Sequence, residues 1–212
     1  GEVTTTGAQS YGNAVALGDT TTLNALGVNF DRTITAAAQS LGLTVNNLGT
    51  TTFKGDVDIG WLETDGGGTS DNKVEIQTAS IKTTGTQHYG ERVSLTSAVP
   101  VTLTGAGVTF ADTLDGPQAL TIEDSGVTTF TKEVGHGTAL ASLTIKDNGG
   151  TYGTVHINGG EVTTTGAQDY QNAVEVWKPT TTLNALDVTF AKSVNGKDAT
   201  AVNLTVNASV GN

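Results

Sequence analysis

Short runs in which apolar and polar residues alternate recur along the chain. Leu-Thr-Val starts at Leu43 and again at Leu204, Val-Thr-Leu at Val101, and Leu-Thr-Ile at Leu120 and Leu143. Alternation with period two turns one side of an extended segment toward a core and the other toward water, so each run predicts a half-buried strand. Glycine follows such runs and stands two to four residues before an aromatic, at Gly7, Gly27, Gly49, Gly85, Gly107, Gly126, Gly150 and Gly166, with Asp187 in its place once. Four residues after the aromatic comes a branched apolar residue: Val15, Ile34, Val57, Val93, Leu114, Val134, Val174 and Val194. Gly and Asn between the strands supply turns.

The aromatics give this pattern a period. Tyr11, Phe30, Phe53, Tyr89, Phe110, Phe130, Tyr152, Tyr170 and Phe190 are spaced by 19, 23, 36, 21, 20, 22, 18 and 20 residues. The long gap is near two periods, and Ser70, with Val74 four residues on, takes the missing aromatic slot. A strand-turn-strand unit of about 20 residues cannot bury its apolar side alone, but stacking each unit on the next does so. The expected fold is therefore all-β: a parallel β-solenoid, a right-handed β-helix of about ten coils, with the Tyr and Phe residues (and Ser70) as one internal ladder. At about 4.8 Å per coil, such a rod is roughly 50 Å long. A β-sandwich does not require this period, and a propeller blade is nearer 40 residues. An immunoglobulin-like module of about 80 residues is the rival that the coarse period leaves open.

That coarse period is a phrase. Val3–Val15 reads VTTTGAQSYGNAV, Ile81–Val93 reads IKTTGTQHYGERV, and Val162–Val174 reads VTTTGAQDYQNAV. TTTLNAL likewise runs from Thr20 to Leu26 and from Thr180 to Leu186. The division that follows is unit one at 1–78, unit two at 79–158 and a partial unit three at 159–212, each full unit being four coils of one continuous solenoid. The sequence starts in phrase and stops within one, with no polar cap at either end, so we expect an excerpt of a longer array.

Composition narrows the function. Thr, Val and 28 Gly with 3 Pro favour strands and turns over helices. A net charge of −11 leaves nothing to neutralise phosphates, which argues against nucleic acid, and it disfavours anionic lipid surfaces. No apolar run is long enough to span a membrane, so no membrane insertion is expected. The absence of Cys excludes a disulfide framework and fits a secreted bacterial protein that folds without oxidation.

Candidate chemistry is sparse. Gly135-His136-Gly137 matches one element of the polygalacturonase-type glycosidases, but their Asn-Thr-Asp, paired Asp and Arg-Ile-Lys elements are missing. Arg32 and Arg92 have no acidic clusters suited to a lyase, and His88, His136 and His156 lack metal-ligand spacing, so no enzyme is expected. Asp56, Asp58, Asp65 and Asp71 lie in or near turns where oxygens could converge on Ca²⁺, the one candidate cofactor. Trp61 and Trp177 fall outside the aromatic series, and Trp177, in the insertion Glu175-Val-Trp-Lys-Pro, is the first candidate for stacking on a sugar ring. The Thr triplets at Thr4, Thr20, Thr50, Thr163 and Thr180 fall in different parts of the coil and do not make the flat array that would order ice.

The Gly- and Thr-rich run from Gly1, with TTTLNAL, LTVN and TTF recurring, resembles repeat regions of very large exported bacterial proteins. These are the filamentous-haemagglutinin-like and autotransporter-like β-helical adhesins, and the resemblance covers essentially the whole chain. It implies a β-helix on the bacterial cell surface or secreted from it, with a role in adhesion, biofilm or cell–cell contact. Partners are then the neighbouring repeats of the same polypeptide, and cell-surface glycans or matrix proteins. The alternative on the same fold is a carbohydrate-binding or carbohydrate-active protein.

Overall fold

The computed structural model describes residues 1–65, 72–149, 153–197 and 201–208. Ser70, Asp71 and Tyr152 lie outside the described residues, as does the side chain of Asp65. The chain winds as a parallel β-solenoid, with three strands per turn in most turns and no α-helix among the described residues. Nine turns are complete, and a tenth is begun by Val194–Gly196 and Asn203–Ala208.

Each turn contributes to three faces. The first face stacks, in chain order, Glu2–Thr4, Thr21–Ala25, Leu43–Asn47, Leu62–Asp65, Gln87–Tyr89, Val108–Phe110, Val127–Phe130, Thr154–Ile157, Ala173–Val176 and Val194–Gly196. The second stacks Gln9–Tyr11, Val28–Phe30, Thr50–Phe53, Lys73–Ile76, Arg92–Leu95 and Leu114–Asp115. Single bridges at Val134 then carry it on to Glu161–Thr163, Thr180–Ala185 and Asn203–Ala208. The third face runs from Val15–Leu17 through Ile34–Ala36, Val57–Ile59, Ser80–Thr83, Val101–Gly105, Ala119–Asp124, Ser142–Lys146 and Ala167–Tyr170 to Asp187–Phe190.

Because the outer side of every strand meets water, these parallel strands alternate instead of reading as continuous apolar runs. Leu43–Asn47, Val101–Gly105 and Ala119–Asp124 each bury every second residue. The branched apolar residues predicted to stack do so in register: Val15, Ile34 and Val57 on the third face, Val93, Leu114 and Val134 on the second, Val174 and Val194 on the first. One contiguous core results.

The aromatic ladder takes a different form from the one the spacing predicts. It is three short stacks, each on its own face. Tyr11, Phe30 and Phe53 stack on the second face with ring centroids 5.1 and 5.5 Å apart. Tyr89, Phe110 and Phe130 stack on the first face at 5.2 and 5.5 Å, and Tyr170 stacks with Phe190 on the third at 5.3 Å. Above Phe53 stands Ile76, and above Phe130 stands Ile157.

The cause is the phase of the repeat. From the phrase at Val3 to that at Ile81, and from there to that at Val162, the chain passes eleven strand positions, Val134 counted as one. At three per turn a unit is three and two-thirds turns, not four. The 36 residues between Phe53 and Tyr89, which look like two periods, cover only one turn and two-thirds. Val3 accordingly lies on the first face, Ile81 on the third and Val162 on the second. Successive copies of one phrase face three directions around the rod.

Candidate functional site

The phrase builds a corner. In unit two Thr83 Oγ1 donates to Gly85 O at 2.8 Å and closes the turn. The chain then enters the next strand with buried Gln87, whose Nε2 donates to Ile81 O at 3.2 Å and to Thr104 O of the following turn at 2.9 Å. The Tyr89 hydroxyl donates to Gln87 Oε1 at 2.9 Å. Unit one repeats this with Thr5, Gly7, Gln9 and Tyr11, where Gln9 Nε2 reaches Val3 O and Asn24 O, both at 3.1 Å. Unit three repeats it with Thr164, Gly166, Gln168 and Tyr170, Gln168 Nε2 reaching Val162 O at 3.1 Å and Asn184 O at 3.0 Å. Burial pushes the Tyr89 and Tyr170 phenols well above their ordinary range, so both remain neutral donors. At two of these corners glycine has a steric cause: a Cβ on Gly166 would lie 2.5 Å from Ala141 O and one on Gly85 3.0 Å from Gly60 O, whereas at Gly7, in the first turn, it would meet nothing within 4 Å.

Outside this corner, units one and three carry the same shallow groove. The first, about 530 Å³, is lined by Thr5, Thr6, Asn24, Ala25, Leu26, Asn46, Asn47 and Leu48. The second, about 730 Å³, is lined by Thr164, Thr165, Asn184, Ala185, Val206, Asn207 and Ala208. Asparagines from successive turns form its wall. Asn46 Nδ2 donates to Asn24 Oδ1 at 2.9 Å, and Asn24 Nδ2 to Thr4 Oγ1 at 3.0 Å. In unit three Asn207 Nδ2 donates to Asn184 Oδ1 at 2.8 Å, and Asn184 Nδ2 to Thr163 Oγ1 at 3.2 Å. The matching backbone contacts are Leu26 N to Gly7 O at 3.1 Å and Leu186 N to Gly166 O at 3.0 Å. Leu26, Leu48 and Leu186 are about half exposed at 51, 52 and 47 %. In unit two the same column reads Lys82, Thr104, Glu123 and Lys146 and is charged, with an ion pair between Lys146 and Glu123 at 2.9 Å.

This groove escapes sequence reading because its walls come from three turns, each about 20 residues from the next. The available signal was Leu26 and Leu186, apolar residues directly before a turn and out of step with the alternation.

The structure places the predicted residues as follows. Trp177 is packed between neighbours from adjacent turns. His156 of the preceding turn lies 5.1 Å away, ring to ring, and Lys197 of the following turn holds its ammonium 3.7 Å from the indole centroid. Its Nε1 donates to Glu175 Oε2 at 3.3 Å. The ring is thus a member of a four-residue cluster and remains 37 % exposed. Trp61 covers Gly42, where a Cβ would lie 2.1 Å from its ring atoms.

Asp56 accepts from Thr78 Oγ1, while Asp58 faces Lys82 at 3.6 Å and accepts from Gln39 Nε2 at 3.2 Å. Among the described residues no group of three His, Cys, Asp or Glu is placed to hold a metal ion. His136 is exposed in a turn where Gly135 has φ +70°, and its Nδ1 lies 3.2 Å from Glu161 Oε2. Asp115 Oδ1 caps that turn by accepting from Gly137 N at 2.8 Å and Thr138 N at 3.0 Å. The Gly-His-Gly sequence therefore has a conformational role. Among the described residues no helix is long and apolar enough to cross a membrane.

Compared with known proteins, the chain matches no family model, no curated protein and no solved structure.

Proposed function

We propose that this chain is a rod segment of an exported bacterial surface protein, serving as a spacer or a repetitive adhesive surface. One observation carries the reading: the residues that recur from unit to unit are spent on joining turn to turn. Thr83, Gly85, Gln87 and Tyr89, with their counterparts, bond within and between turns. A duplicated phrase of this kind lengthens a rod without disturbing what precedes it. Gly- and Thr-rich repeats, acidic charge and absence of Cys support export, as does the resemblance to β-helical exoproteins of the haemagglutinin-like and autotransporter-like kinds.

The reading is tested with antibodies raised against the purified chain. On intact cells of the source organism they should label the surface, and protease added outside the cells should remove the label. In parallel, small-angle scattering should return an unbent rod. Labelling only after cell lysis would end the export reading, and a compact or bent particle would end the rod reading.

A further inference from the structure

We infer that the two Thr/Asn grooves are twin binding sites for a neutral saccharide, and that the segment is divalent. The groove recurs with the same residue types in units one and three, at Thr5 and Thr164, Thr6 and Thr165, Asn24 and Asn184, Ala25 and Ala185, Asn46 and Asn207. None of its described lining residues is charged, in a chain with net charge −11, and a nearby carboxylate, Glu2, is held by Asn24 Nδ2 at 2.9 Å. An anion finds no cationic side chain among the described lining residues, and no group of three His, Cys, Asp or Glu among the described residues is placed to hold a metal ion, whereas a polyhydroxylated neutral ring finds carboxamides that both donate and accept.

The Asn wall is pre-ordered. Asn46 Nδ2 is held by Asn24 Oδ1 at 2.9 Å and Asn207 Nδ2 by Asn184 Oδ1 at 2.8 Å, while Asn24 Nδ2 donates in turn to Thr4 Oγ1 at 3.0 Å and to Glu2 Oε1 at 2.9 Å. Exposed Leu26 and Leu48 in unit one supply the aliphatic surface on which the apolar side of a sugar ring rests. Where unit two puts Lys82, Glu123 and Lys146 in this column, we assign no site.

Geometry gives the valency its use. The unit-one groove lies at the edge between the first and second faces, and the unit-three groove at the edge between the second and third. They are about seven turns apart, roughly 35 Å along the rod. Two saccharide chains bound there leave in different directions, so one rod bridges two chains instead of gripping one twice. This inference goes beyond the rod reading and does not depend on it.

The test uses the intact chain, ¹⁵N-labelled, titrated separately with cello-, manno-, galacto- and N-acetylchito-oligosaccharides. One of these should shift the side-chain amides of Asn24, Asn46, Asn184 and Asn207 saturably, with two equivalents bound per chain. Asn46→Ala should weaken binding at one groove by about tenfold and Asn207→Ala at the other, as expected for one or two lost hydrogen bonds. Both asparagines are at the surface, so the buried Gln87 and Gln168 amide signals should stay in place and certify folding. Beads carrying the bound sugar should be cross-linked by the parent chain, and more weakly by either single variant. The proposal is overturned if none of the four sugars moves these amides, if the shifts centre on the Trp177 indole instead, or if the double variant binds like the parent. The rod dimensions from scattering are untouched by any of these results, so the two readings fail separately.

Discussion

Tyr89 and Gln87 form a buried pair in which the phenol donates to Gln87 Oε1 at 2.9 Å while the Gln87 amide holds Ile81 O and Thr104 O on two successive turns. The same pair recurs as Tyr11 with Gln9 and as Tyr170 with Gln168. It explains why the phrase retains Gln and Tyr at fixed spacing. The glutamine closes this corner from inside together with buried Thr83, and the tyrosine satisfies its remaining oxygen while starting the ring stack.

Gln87→Ala should therefore leave a buried hydroxyl and two carbonyls without their partner. We expect a loss of about 2–4 kcal/mol in urea unfolding, the sum of unsatisfied polar groups and a small cavity. Gln9→Ala should cost less, because Tyr11 is only partly buried. Equal losses at the two positions would contradict the corner mechanism.

The middle ring of a stack should matter most. Phe110 is fully buried between Tyr89 and Phe130, and Phe110→Ala should cost about 3–5 kcal/mol. Phe190 is only partly buried and has one ring neighbour in its stack, Tyr170, so Phe190→Ala should cost distinctly less. Thermal melts of the two variants, compared with the parent, check the order.

How much of this was legible in the sequence depends on range. Strands such as Leu43–Asn47 and the in-register column Val15, Ile34, Val57 follow directly from alternation and spacing, because both are local. The phase was hidden. The register interval from Phe30 to Phe53 is 23 residues and that from Phe130 to Ile157 is 27, so a mean period near 20 cannot separate four turns from three and two-thirds. Trp177 was legible as unusual, but its neighbours His156 and Lys197 are brought to it only by the winding. The grooves were invisible for the same reason.

The phase makes a prediction about excision. Removing Ile81–Glu161 joins Ser80 to Val162, so the phrase of unit three takes over the strand position and partners of the phrase of unit two. Each phrase is built to follow whatever face precedes it, so the shortened chain should fold cooperatively. By scattering it should be shorter by three and two-thirds turns, about 18 Å. Removing one residue more, Ile81–Val162, sets Thr163 in the inward slot and turns every following side chain to the wrong side. That chain should fail to give a cooperative transition. If both deletions behave alike, the eleven-strand repeat is not what specifies the fold.

The Trp177 cluster makes stability sensitive to mild acid. Burial is the main cause holding His156 below the ordinary imidazole range; Glu175 pulls it back up, and the Lys197 ammonium pushes it further down. The folded chain thus keeps this ring neutral, whereas the unfolded chain protonates it near the ordinary value of about 6.5. Just below that value the unfolded state binds more protons, so stability rises with pH through the window and is lost as pH falls from the ordinary value toward the folded one. Lys197→Met removes a positive charge that sits 3.7 Å from the centroid of the ring next to His156, so the folded pKa should rise toward the ordinary value and the window narrow. Proton NMR titration of the His156 ring in parent and variant measures both. A His156 pKa at or above the ordinary value in the parent, or one that falls in Lys197→Met, would mean that burial and Lys197 do not govern this group.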